Sequence, residues 1–175
     1  MENSESAFKL ALKPGLIISA ISVAISLILW VLIEDLQVQQ KFGYATWLIL
    51  AFLYHYYTKE YRENSLGGNL SYGQAFSFMF FISLIGAAVT VIYTFVLFSY
   101  LDPTMIDVMK EQAAEKLYEQ GLEGDQIDQA MKIQEMFMAP GILSLFAFFG
   151  SLFFGTILSL VVAIFVKKEV QIFED

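Results

Sequence analysis

Polar and apolar residues occur along this chain in long blocks, and the apolar blocks have the length of membrane spans. Gly15–Ile33 is apolar for 19 residues, and Phe42–Thr58 forms a shorter run of 17. Tyr72–Leu101 carries no charge over 30 residues, and Gly141–Val166 has no ionisable side chain over 26. A helix needs about 20 residues, at about 1.5 Å each, to cross about 30 Å of hydrocarbon. The pattern therefore predicts four transmembrane helices, at 15–33, 42–58, 72–101 and 141–166. The first ends in Trp30, Glu34 and Asp35 rather than in a small-residue cleavage site, so it is read as a retained span and not a secretory signal. The second is the most aromatic, with Trp47, Tyr54, Tyr56 and Tyr57 placed to settle at the membrane–water interface. The third exceeds the hydrocarbon thickness and is expected to tilt or project.

The polar blocks supply the punctuation. Pro14 suits the first turn of the first helix, and Glu34–Lys41 makes a short connection. Lys59–Ser71 reads as a hydrophilic loop broken at Gly67-Gly68, with Ser71 as N-cap and Gln74 in reach of an orphan amide. Asp102-Pro103 marks another start, Asp as cap and Pro as first helical residue. Over 104–120, Ile106, Met109, Ala113 and Leu117 fall at spacings of three and four, the mark of an amphipathic helix. Gly121 and Gly124 break it, and Asp125 is placed to cap a second helix whose Ile127, Met131, Gln134 and Met138 share one side up to Pro140. The fold class that follows is all-α: a four-helix transmembrane bundle, one domain over 1–175, with an amphipathic helical hairpin at 102–140 between the third and fourth spans.

Small residues indicate how such a bundle packs. Ala147, Ser151, Gly155, Ser159 and Ala163 recur every fourth position, and Ser83, Ala87, Thr90 and Thr94 form a stripe that can face them. In lipid, apolar side chains gain little by meeting one another, and helices associate where small residues let backbones approach. Ser19, Ser22 and Ser26 share a face of the first span, and their hydroxyls most simply bond to their own backbone.

The four blocks, the Gly67-Gly68-x-x-Ser71-Tyr72-Gly73-Gln74-Ala75-Phe76 stretch leading into the third, the Pro103 exit and the polar helical insertion before the fourth form one pattern. Over roughly residues 8–168 it resembles the bacterial membrane family known as domain of unknown function 4199. The resemblance implies a small integral protein of the inner membrane of Gram-negative bacteria. It brings no activity, substrate or catalytic residue with it.

Charge narrows the picture further. The net charge is −8, and residues 102–140 hold −6 of it, which excludes nucleic acid as a partner because phosphates need Lys and Arg. With four crossings, Lys9, Lys13, Lys59, Arg62, Lys167 and Lys168 fall on one side, close to span ends. Lys41, Lys110, Lys116 and Lys132 fall on the other. The positive-inside rule then places both termini in the cytoplasm and the acidic hairpin outside. The chain has no cysteine, so disulfides, thiolate metal sites and cysteine nucleophiles are excluded.

Candidate chemistry is thin. His55 is the single histidine and reads as an interfacial anchor, with no second ligand for a metal. Met105, Met109, Met131, Met136 and Met138 are soft thioethers of the kind that bind Cu(I), but flexible apolar packing accounts for them more simply. Glu123, Asp125 and Asp128 lack the spacing of a calcium loop, and Gly67-Gly68 lacks the lysine of a phosphate loop. Tyr57, Lys59, Tyr61 and Arg62 form an aromatic–basic set suited to lipid headgroups. No catalytic, cofactor-binding or metal-binding residue is assigned and no cofactor is expected. The expected role is a non-enzymatic accessory or scaffolding component in contact with the bilayer and a membrane-protein partner or further copies of itself. The alternative is a small oligomeric permease or channel for a neutral or apolar solute, lined by Ser83, Thr90, Ser151 and Ser159.

Overall fold

The computed structural model describes residues 6–33 and 36–168. Glu34 and Asp35, expected to close the first span, lie outside the described residues, as does the acidic tail. Six α-helices follow in order: α1 (Ala7–Leu32), α2 (Leu36–Ser65), α3 (Tyr72–Val96), α4 (Thr104–Glu119), α5 (Asp125–Phe137) and α6 (Pro140–Val166). A π-helical turn, Leu97–Leu101, extends α3, closed by the amide of Asp102 donating to the carbonyl of Leu97. Among the described residues the one extended pairing is a single antiparallel bridge between Leu70 and Lys168.

Three of these helices are long and apolar enough to cross a membrane: Ala7–Leu32, Tyr72–Leu101 and Pro140–Val166. The expected second span falls inside α2, which is longer than the apolar run that encodes it. The segment from Lys59 to Ser65, expected as loop, continues the helix. Lys, Glu and Arg are good helix formers, and polarity alone does not end a helix. The breaker is the glycine pair, with φ of 62° at Gly67 and 89° at Gly68. Likewise α1 begins at Ala7, so Pro14 lies inside it rather than in its first turn.

The chain divides into two compact units, residues 1–89 with 150–175, and residues 90–149. In the first, four helical segments alternate in direction. Phe8 meets Phe81 and Gly15 lies against Ile85, so α1 and α3 run parallel. Tyr61 stacks on Phe78 with ring centroids 4.2 Å apart, and Tyr54 bonds to Ser83, so α2 runs against α3. Tyr72 donates to the carbonyl of Leu160 while Ser83 lies against Gly155, so α6 also opposes α3. The starts of α1 and α3 and the ends of α2 and α6 therefore share one end of this unit. There the Leu70–Lys168 bridge, with N···O distances of 2.8 and 2.9 Å, ties the loop before α3 to the end of α6. Arg62 Nη1 donates to the carbonyl of Val166 at 2.9 Å, serving one of the carbonyls left open at the end of α6.

Ser71 and Gln74 form a capping box at the start of α3. The Gln74 amide donates to Ser71 Oγ and the Ser71 amide to Gln74 Oε1. The sequence anticipates both roles. Two other expected caps differ: Pro103 occupies the cap position of α4, and Gly124, at φ 51°, that of α5, leaving Asp125 as the first helical residue. Only glycine adopts that backbone at little cost, and it sets the turn.

In the second unit α4 and α5 pair as an antiparallel hairpin. The residues expected to share one side of each helix, Ile106, Met109, Ala113 and Leu117 on α4 and Ile127, Met131, Gln134 and Met138 on α5, are all half-buried. Lys110 reaches Glu135 across the pair at 3.7 Å, and Phe137 packs near Phe146 at the start of α6.

Candidate functional site

Two places in the first unit gather polar groups among apolar helices. The inner one is closed. Tyr54, Ser83 and Ser159 are buried, and their hydroxyls meet: Tyr54 Oη lies 3.0 Å from Ser83 Oγ, which lies 3.3 Å from Ser159 Oγ. Ser83 also reaches the carbonyl of Met79 at 3.0 Å, and Ser159 that of Gly155 at 2.7 Å. A serine hydroxyl has one proton, and these carbonyls take both, so Tyr54 is the donor to Ser83. The result joins α2, α3 and α6 without a charge. Gly155 makes it possible, because a Cβ there would sit 2.8 Å from Ser83 Oγ. The expected meeting of the Gly155 row with the Ser83 stripe is thus observed. Thr58, one turn beyond Tyr54, is fully buried, and its hydroxyl has no hydrogen-bond partner among the described residues.

The outer place is open. A cleft of about 450 Å³ lies between the first half of α1 and the second half of α2. Lys9 and Lys13 contribute from α1, and Glu60, Asn64 and Ser65 from α2. Tyr56, Tyr57 and Tyr61 form its aromatic wall, and Leu10, Pro14, Ile17 and Phe78 its apolar floor. Pro14 has no N–H to give to the carbonyl of Leu10, so the helical ladder of α1 is interrupted beside this cleft. Burial raises the Tyr61 phenol above its ordinary pKa.

This divides the aromatic–basic set read from the sequence. Tyr57 and Tyr61 line the cleft, but Arg62 turns to the end of α6 and to Glu63, which its Nε and Nη2 meet at 3.0 and 2.7 Å. Lys59 does not line the cleft. The cations that join the tyrosines come from α1, and no local motif could reveal them; only the antiparallel pairing of α1 with α2 brings them there. The guanidinium beside Glu63 holds its carboxyl below the ordinary range, with Lys168 and Lys59 adding to the effect.

The remaining candidates are dispersed. His55 is exposed on the outer side of α2. Of the hairpin methionines, Met136 faces outward, 69% exposed, whereas Met105, Met109, Met131 and Met138 are half-buried. Among the described residues no three His, Asp or Glu side chains are grouped to hold a metal ion. Ser19 and Ser22 bond to the carbonyls of Gly15 and Ile18, the self-satisfied arrangement expected of them. A second groove, of about 350 Å³, is lined by Ser22, Ser26, Gln39 and Thr46. Gln39 and Thr46 there donate to the carbonyls of Ile33 and Phe42.

Membrane-length apolar helices, small-residue contacts and an uncharged hydroxyl cluster between them define a helical protein of the membrane-spanning class. The sequence profile of the DUF4199 family, proteins of unknown function, matches residues 13–168, and the chain belongs to that family. No curated protein and no solved structure matches it significantly.

Proposed function

We propose that the protein is a non-enzymatic accessory or scaffolding component of a bacterial inner membrane, crossing it four times with both termini in the cytoplasm. The observation that carries the reading is the closed contact of Ser83 with Gly155 and Ser159, where the spans meet through small side chains and hydroxyls in direct contact. A solute path needs a wetted lining, and the alternative as a permease depends on Ser83 and Ser159, which are buried against each other. Transport proteins also mark their paths with intramembrane charge or broken helices. The described stretches of α3 and α6 carry no charge.

The crossing of α2 is supported by its course. It runs beside α3 from Tyr61 at Phe78 to Tyr54 at Ser83, and beside α6 from Arg62 at Val166 to Trp47 at Phe154. A helix flanked along that length by two apolar spans shares their slab. Crosslinking in membranes followed by detergent purification and mass spectrometry tests the role. One stoichiometric membrane-protein partner, or a defined homo-oligomer, is the expected product; a monomer with no neighbour overturns the scaffolding reading. A cysteine placed at Glu123 should react with a membrane-impermeant maleimide in intact cells and one at Asn64 should not. The reverse pattern overturns the orientation.

A further inference from the structure

We propose that the cleft between α1 and α2 holds the headgroup of one membrane phospholipid, its phosphate against Lys13 and Lys9 and its acyl chain over the apolar floor. The proposal rests on the reading that α1 and α2 cross the membrane. The cleft's two kinds of wall lie where such a molecule changes character. Lys9 and Lys13 are four residues apart, one helical turn, and therefore present two ammonium groups on the same side of α1. Three tyrosines stand opposite, with rings that favour the headgroup level and hydroxyls that donate to phosphate oxygens. One turn further into α1, the half-buried Ile17 offers hydrocarbon contact, with Leu10 level with the lysines.

The presence of both signs of charge in the lining points to the headgroup's second half. Glu60 lines the α2 side of the cleft, opposite the lysines of α1. A phosphodiester bearing a protonated amine, as in an ethanolamine headgroup, meets both signs: phosphate to the lysines, ammonium to Glu60. A volume of about 450 Å³ takes a headgroup and the first part of a chain, not a whole lipid.

Full-length protein, stripped of lipid in mild detergent, is titrated with phosphatidylethanolamine, diacylglycerol of the same chains, glycerophosphoethanolamine and inorganic phosphate, with native mass spectrometry counting bound molecules. One phosphatidylethanolamine per chain is expected, with diacylglycerol binding at least tenfold more weakly, about the effect of losing one charged contact. Lys13→Gln should weaken the phospholipid about tenfold, as should Tyr57→Phe to a lesser degree, while Lys59→Gln, outside the cleft, should not. Circular dichroism confirms that each variant is folded. Equal binding of diacylglycerol and phospholipid, or equal effects of Lys13→Gln and Lys59→Gln, overturns the site. Saturation by inorganic phosphate or glycerophosphoethanolamine alone assigns the cleft to a soluble phosphate and also overturns it. Resistance of the membrane-bound protein to alkaline carbonate extraction is read separately: extraction overturns the membrane reading, whereas retention without phospholipid binding overturns the cleft alone.

Discussion

Gly155 of α6 and Ser83 of α3 touch so closely that a methyl group at Gly155 would stand 2.8 Å from the serine oxygen and 2.9 Å from its Cβ. Ser83 cannot simply turn aside, because it accepts from Tyr54, donates to Met79 and adjoins Ser159. Gly155→Ala must therefore separate the helices or break that cluster. Overpacking of this kind costs about 1–3 kcal/mol, and thermal unfolding in detergent should show it. The pair Gly155→Ala with Ser83→Gly, which exchanges the small residue between the helices, should recover part of the loss. If the single variant is as stable as the parent, the close contact is not what joins α3 to α6.

A second glycine makes the same point between α1 and α3. A Cβ at Gly15 would meet three side-chain atoms of Ile85 at 2.9–3.1 Å, whereas one at Gly43 in α2 would meet nothing within 4 Å. Gly15→Ala should destabilise and be relieved by Ile85→Ala. Gly43→Ala should stabilise by up to about 1 kcal/mol, because alanine is the better helix former. Opposite signs from the same chemical change, read by the same unfolding assay, distinguish packing from propensity. Equal signs would contradict the placement of Gly15.

The residues that were legible in the sequence are those whose role is local or periodic. The Gly155 row and the Ser83 stripe are repeats of one helix surface, and Ser71 with Gln74 is a cap written over four positions. The length of α2 was hidden because Lys59–Ser65 is polar but helix-forming, and hydropathy reports solvent preference rather than backbone state. The cleft was hidden for another reason. Its lysines and tyrosines are separated by more than 40 positions and converge only when α1 folds back along α2. Reading Tyr57 and Tyr61 with their nearest cations in sequence selected Lys59 and Arg62, and Arg62 is engaged at the end of α6.

Thr58 offers a test with the opposite expectation from most core substitutions. Its hydroxyl is fully buried and, among the described residues, unpaired, which costs folding free energy of about 1–3 kcal/mol for a neutral group. Valine has nearly the same shape and no hydroxyl. Thr58→Val should leave the protein at least as stable, with a gain of about 1 kcal/mol. A clear loss of stability would show that the hydroxyl has an acceptor in the folded state.

The Arg62–Glu63 pair at the end of α2 supplies the pH dependence. The hydrogen bonds from Arg62 lower the carboxyl pKa of Glu63 in the folded protein, and the nearby charges of Lys168 and Lys59 act the same way. The unfolded chain has the ordinary, higher value, so it binds the proton first as pH falls. The stabilisation is therefore fully present above the ordinary carboxylate range and is lost as pH drops through the folded value. Glu63 is exposed, so the effect is small and screened by salt. Between neutral and acid pH the melting temperature of the parent should fall more than that of Glu63→Gln, and the two should converge at the acid end. Raising ionic strength should shrink the difference. Parallel profiles at low salt would show that the pair contributes nothing, and that Arg62 holds the end of α6 through Val166 alone.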